Sequence, residues 1–321
     1  MAIPVRAHRL PLFVLTAIVI AVLALLLAAP RPAAAYEPID LREEPDRTTT
    51  AENREAVREL LRELAARQEP APTATPTPSP TPTPAPTPAP PGYDVSYPQC
   101  GKELPRSFSF AIVGVNGGRV HSENRCLGPG DDPSQLEWAG RSVELYANTG
   151  NPGPQLSRYW PRGQAEPRPC DPRGSADTVD CAYDYGWNAA AHAYRVALDA
   201  FVGLDWADED ADRIPGDPAW WLDVEDANSW RTDRSLNVAA LEGAVAFFES
   251  MDAEVGFYST PRLWDRITGG TDAFAAYPAW HAGASNRQDA MDRCDDESFT
   301  GGELSMVQWV ENGIDANIRC P

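Results

Sequence analysis

Ala219-Trp220-Trp221-Leu222-Asp223-Val224-Glu225-Asp226 is an aromatic and aliphatic run that ends in two carboxylates two positions apart. Such a run reads as a buried strand emerging into a cleft. In a strand, positions i and i+2 point to the same face, with a rise of about 3.3 Å per residue. Asp223 and Glu225 are therefore expected side by side, roughly 6–7 Å apart at the backbone. Two acids held that close do not both ionise freely, so one pKa rises. One protonated carboxyl beside one charged carboxylate is what hydrolysis of a glycosidic bond requires. The same spacing also arises as ordinary surface charge in a chain with 47 acidic residues.

Outward from this strand, short apolar segments alternate with helical ones. Residues 93–97, 110–115, 143–147, 219–224, 255–258, 279–282, 306–309 and 314–318 read as strands, and 133–141, 185–202 and 237–250 as helices. This rhythm predicts an α/β fold, an irregular (β/α) TIM-like barrel with fewer helices than strands, over residues 92–321. The later strands have little sequence between them, which places the irregularity there. The segment 151–181, rich in Pro, Gly and Arg, reads as a long disulfide-closed loop.

Three segments precede the barrel. Arg6 and Arg9 lead an apolar stretch (11–29), and Ala33-Ala34-Ala35 offers a cleavage site, so residues 1–35 read as a signal peptide or, uncleaved, a membrane anchor. Residues 36–69 hold a short helix, with Thr49 and Glu52 as a capping box and Val57, Leu60, Leu61 and Leu64 at helical spacing. Residues 70–91 are almost all Pro, Thr and Ala, a disordered stalk in extended polyproline II that spans on the order of 70 Å at about 3.1 Å per residue.

The six cysteines, Cys100, Cys126, Cys170, Cys181, Cys294 and Cys320, all follow the stalk. An even number in an exported domain implies disulfides. Neighbouring pairs are the simplest of the possible connectivities, since each closes a local loop. The layout predicts a secreted or surface-held protein. A formal charge of −20 excludes nucleic acid as a partner. G-x-S-x-G, H-E-x-x-H and P-loop motifs are absent, and His121, His192 and His281 are scattered along the chain. No cofactor and no metal are expected, and the domain reads as a monomer.

In a barrel, functional groups sit at the C-terminal ends of strands. Asp94 lies on the first strand and Asp315 on the last, and closure makes those two strands neighbours. Asp94, Asp223, Glu225 and Asp315 are thus expected at one mouth. Tyr258, Trp280 and Trp309 lie on strands as candidate faces for stacking on sugar rings, with core packing as the alternative.

These pieces, taken in order, resemble the family 25 glycoside hydrolases, the lysozymes that cut the N-acetylmuramic acid linkage of peptidoglycan. The resemblance rests on Asp94-Val95-Ser96 with Gln99, Phe110-Ala111-Ile112-Val113, Leu222-Asp223-Val224-Glu225, Val255-Gly256-Phe257-Tyr258-Ser259, Trp280 with Ala282, and Gln308-Trp309 followed by Asp315 and Asn317. It implies Glu225 as general acid, Asp223 as stabiliser of positive charge at the sugar, and Asp94 and Asp315 as supporting carboxylates. Tyr258, Trp280, Trp309 and Gln308 would hold substrate, and the reaction would retain anomeric configuration. Gly114-Val115-Asn116-Gly117-Gly118 and Leu145-Tyr146-Ala147-Asn148 depart from the family pattern, as does the 151–181 insertion. Three functions are consistent with the chain: a wall glycosidase, a glycan-binding or scaffolding domain that has lost turnover, and a structural surface protein.

Overall fold

The computed structural model describes residue 59, residues 89–130, 134–171 and 176–321. The expected signal or anchor, the 36–69 helix apart from the helical Glu59, and the stalk up to residue 88 lie outside the described residues.

Eight strands close into a barrel in chain order: β1 (Gly92–Val95), β2 (Ala111–Gly114), β3 (Glu144–Asn148), β4 (Trp220–Asp223), β5 (Val255–Ser259), β6 (Ala279–Ala284), β7 (Leu304–Glu311) and β8 (Ile314–Arg319). Among the described residues five α-helices accompany them: α1 (Gln135–Ala139), α2 (Val179–Gly203), α3 (Arg234–Ser250), α4 (Pro261–Thr268) and α5 (Arg287–Arg293). Every expected strand is present, within a few residues at each end. The three expected helices are present too; α2 starts earlier than read, at Val179, where the Thr178 hydroxyl accepts from the Cys181 N–H at 3.2 Å.

The departure from a uniformly parallel barrel has a local cause. The turn between β7 and β8 is Asn312-Gly313, with φ of 53° and 80°. Two consecutive left-handed residues make a tight hairpin, and Asn-Gly is the pair that tolerates them best. β8 therefore runs antiparallel to both β7 and β1. Its first residues lie at the end of the barrel where the parallel strands finish, and Asp315 pairs in register with Asp94.

Alternation divides each strand between two environments. Trp220, Leu222 and Phe257 face outward into the main core with Leu241 and Phe248 of α3 and Trp264 of α4. Trp221, Ile112, Trp280 and Met306 face inward and fill the barrel's waist, with Phe110, Tyr146 and Tyr258 against them. Below that waist lies a polar floor. The Trp221 indole donates to Glu144 at 2.8 Å, Arg319 pairs with the same carboxylate, and the Arg319 guanidinium sits 4.4 Å from the Phe110 ring centroid. The interior is a packed core closed at one end, not a pore. Outside, α2 and α3 pack with backbones in close approach. A Cβ on Gly186 would fall 1.7 Å from the Ala240 carbonyl oxygen and one on Gly243 1.9 Å from that of Tyr183, so only glycine fits either position.

The disulfides are Cys100–Cys126, Cys170–Cys181 and Cys294–Cys320, the neighbouring pairs. The segment 151–181, read as a disulfide-closed loop, carries the Cys170–Cys181 bridge, which ties it to the first turn of α2. The described residues of the insertion pack on α2 and α3 in a second small core of Trp160, Cys170, Ala176, Cys181, Tyr185 and Leu236.

Candidate active site

The mouth of the barrel is a cleft of about 200 Å³, and Asp94, Asp223, Glu225 and Asp315 all line it. Each arrives by a different route. Asp94 is the inward residue of β1, and Asp223 is the last residue of β4. Glu225 follows two positions on and faces the same cleft, as strand alternation requires. Asp315 comes from the reversed β8. Among the described residues no group of three or more acidic, His or Cys side chains is arranged to hold a metal ion.

A hydrogen-bonded chain fixes Asp94. Its Oδ2 accepts from Gln308 Nε2 at 2.9 Å and from Asn317 Nδ2 at 2.7 Å. Gln308 in turn accepts from the Tyr258 hydroxyl at 2.9 Å, and Asn317 accepts from the Trp280 indole at 2.9 Å. Four inward residues on β5, β6, β7 and β8 thus orient one carboxyl. On the opposite wall Asn148 donates to Asp223 Oδ2, while the buried Asp223 Oδ1 has no partner among the described residues. An unsatisfied buried oxygen in a cleft is a place for a ligand's N–H or O–H. The Glu225 carboxyl makes no side-chain hydrogen bond among the described residues, and its backbone carbonyl accepts from the Trp230 indole at 2.7 Å.

All four acids are pushed above their ordinary range. Burial raises Asp94 to about 8, with Asp315 adding repulsion against the pull of the Asn317 and Gln308 donors. Burial raises Asp223 well above the usual carboxylate value, reinforced by Glu225. Glu225 is raised by burial and then by Asp226 and Asp315, and Asp315 by burial. The group as a whole holds protons at neutral pH that isolated carboxyls would have lost. Tyr146 and Tyr258 are raised as well, by burial and by the acids around them, so both remain hydrogen-bond donors.

Tyr258, Trp280 and Gln308 line the cleft as expected from the sequence. Trp309 does not. It is the outward neighbour of Gln308 on β7, is 2% exposed, and packs with Ala279, Ala284, Ala290 and Val307 on the outer face. Its expected place at the sugar is corrected by period-2 alternation: Gln308 and Trp309 cannot share a face. Gly118, Tyr146 and Asn148, in the two segments that depart from the family pattern, also line the cleft, as does Tyr97, which the sequence does not mark as a site residue. Tyr146 and Asn148 carry an i, i+2 signal of their own on β3. Gly118 has φ 81° and would place a Cβ 2.5 Å from the Tyr97 ring, so this glycine lets Tyr97 lie over the cleft.

Comparison with known proteins agrees with the resemblance. The family model described as Lysozyme-like protein 1 matches residues 218–300, which hold Asp223, Glu225, Tyr258 and Trp280. The chain is similar to a probable GH family 25 lysozyme 4 of Dictyostelium discoideum, 35% identical over 100 residues, or 30% of this chain and 45% of that protein. A probable GH family 25 lysozyme 2 of the same organism is 36% identical over 62 residues, 19% of this chain and 29% of that one. The chain thus spans less than half the length of these curated relatives. Among solved structures, a muramidase from Trichobolus zukalii aligns with TM-score 0.42 at 16% identity, covering 72% of this chain and 93% of that one. A family GH25 lysozyme from Aspergillus fumigatus aligns with TM-score 0.42 at 15% identity, covering 72% and 93%.

Proposed function

We propose that residues 92–321 form a glycoside hydrolase of lysozyme type that cleaves amino-sugar linkages in peptidoglycan or a related wall polymer with retention. The observation that carries this reading is the convergence of four carboxyls with raised pKa values on one cleft, with Asp223 and Glu225 facing it together. Such perturbed groups cluster where chemistry is done.

Glu225 is the general acid. Its carboxyl is free of side-chain hydrogen bonds and holds its proton above the ordinary range, so it can deliver that proton to the leaving glycosidic oxygen as the C1–O bond breaks. Burial favours the protonated form of Asp223 in the empty cleft, and positive charge developing at C1 favours its carboxylate, which stabilises that charge directly or by accepting from the N–H of the substrate's 2-acetamido group at Oδ1. Water then adds at C1 on the face the leaving group left, giving its proton to the Glu225 carboxylate and restoring the acid. Asp94, held by Gln308 and Asn317, and Asp315 line the wall opposite Asp223 and keep the sugar oriented. Tyr258 and Trp280 supply ring faces and donors.

The three disulfides fit an extracellular protein. In this reading the N-terminal segment exports the chain or anchors it, and the stalk holds a monomeric domain away from the membrane. The test is a Glu225→Gln variant, which keeps shape and removes the acid. Release of reducing ends from peptidoglycan by the wild type, with loss of about 100-fold or more in the variant, supports the proposal. Equal binding with no release by either protein would identify a glycan-binding module instead.

A further inference from the structure

The 151–181 insertion is a built object. Its described residues share a small core with α2 and α3, and carry a disulfide to α2, a Trp160 indole bond to the Ala176 carbonyl at 2.8 Å, and an Arg231–Asp177 ion pair at 2.5 Å. Yet it leaves Leu156 76% exposed and Tyr159 41% exposed. Both side chains line a second cleft of about 570 Å³. That cleft adjoins the first: Ala227 lines both, and Gly118 at the first is followed in the chain by Arg119 at the second. The two form one furrow across the loops that follow β2, β3 and β4.

The charge of the second cleft is opposite to that of the chain. The protein has 47 acidic and 27 basic residues, but among the described residues this wall carries Arg119 and Arg158 and no acidic side chain. No carboxylate pairs with either guanidinium among the described residues. Arg158 lies 4.7 Å from the Tyr159 ring centroid and donates to its hydroxyl at 2.5 Å. His121 stacks on Tyr159 at 4.3 Å, with its ring 5.3 Å from that of His192, so two histidines that look scattered in sequence meet here. Burial and His192 lower His121 to about 4, and at neutral pH it serves Tyr159 as an uncharged platform.

We propose that this second cleft is a subsite for an anionic substituent, a carboxylate or a phosphate, on the same glycan strand whose sugar occupies the four-carboxyl cleft. Arg119 and Arg158 take the anion, and Tyr159 and Leu156 pack against the adjoining ring. The proposal rests on the glycosidase reading and adds to it the charge of the preferred substrate. Arginine suits the task, because its planar fork binds both oxyanion types.

The test compares the full chain with an Arg119→Gln/Arg158→Gln variant by calorimetry and steady-state kinetics on three probes. These are a neutral chitin oligosaccharide, peptidoglycan strands bearing peptide-stem carboxylates, and strands that also carry a phosphodiester polymer. At a charged hydrogen bond's usual worth, affinity for an anionic probe falls about tenfold or more per arginine, with KM rising and kcat unchanged. The neutral probe is bound equally by both proteins. Loss confined to the phosphodiester strands identifies phosphate as the ligand, and loss on both anionic probes identifies the carboxylate. An Arg119→Lys/Arg158→Lys variant restores part of the affinity. Unchanged affinity for both anionic probes, or equal loss on the neutral one, overturns the proposal. Absence of cleavage by the wild type overturns the glycosidase reading while the binding comparison still stands.

Discussion

Replacing Asp94 by Asn is expected to stabilise the protein at alkaline pH. In the fold the Asp94 carboxyl titrates at about 8 against an ordinary 3.8, so between those values the folded chain keeps a proton that the unfolded chain has released. Stability is then full below the lower value and is lost as pH rises through the upper one. At about 1.4 kcal/mol per pH unit the ceiling on that loss is about 6 kcal/mol. Asp315 shares the repulsion, and the pair rather than one residue carries the proton, which brings the expected loss to about 2–3 kcal/mol. Asparagine is nearly isosteric. Its Oδ1 can take the place of Asp94 Oδ2 and accept from both Gln308 and Asn317, so no donor is orphaned. Thermal melts of both proteins, disulfides intact, at pH near 4 and pH near 8.5 check this. The variant should melt about 5–8 °C above the wild type at the higher pH and close to it at the lower. A variant less stable than wild type at the higher pH, or a gap independent of pH, would refute the placement of Asp94 in a buried acid cluster.

Tyr258→Phe removes the donor that fixes Gln308, and should lower kcat about tenfold with little change in KM, read by initial rates. The raised pKa of Glu225 means that the active protonated acid persists above the ordinary carboxylate range; the rate should fall as pH rises through that raised value, and Glu225→Asp should shift the limb. Trp309→Ala should cost about 3–5 kcal/mol in denaturant melts yet leave glycan affinity of the folded protein unchanged, because the ring packs on the outer face. Gly118→Ala should weaken glycan binding by displacing Tyr97 and lower the melting temperature by about 2–4 °C, because alanine is strained at φ 81°.

The eight strands were legible because most are short apolar runs, buried on both faces and bounded by turn residues. The acid pair was legible because Asp223 and Glu225 are two apart on one strand, a purely local signal. Placing Asp94 beside Asp315 needed only closure of the barrel, and their register confirms the adjacency. The reversed direction of β8 was written in Asn312-Gly313 but not taken from it. Helix α4 was equally readable, with Thr260 as cap, Pro261 in the first turn and Gly269 left-handed at its end, yet its short length hid the periodicity. Trp309 was misplaced because residue type was allowed to outweigh alternation along β7. What no local pattern carries is the second cleft. Arg119, Arg158 and Tyr159 meet His121 and His192 only after distant loops fold together.

The polar floor made by Glu144, Arg319 and Trp221 decides how a polymer must approach. With the barrel stoppered from beneath, a strand cannot be threaded through it and has to lie across the rim like a rope over a saddle, entering and leaving on one side. Under the proposed hydrolase reading, a chain laid along the two adjoining clefts is cut at an interior linkage, and its average length falls well before small sugars accumulate.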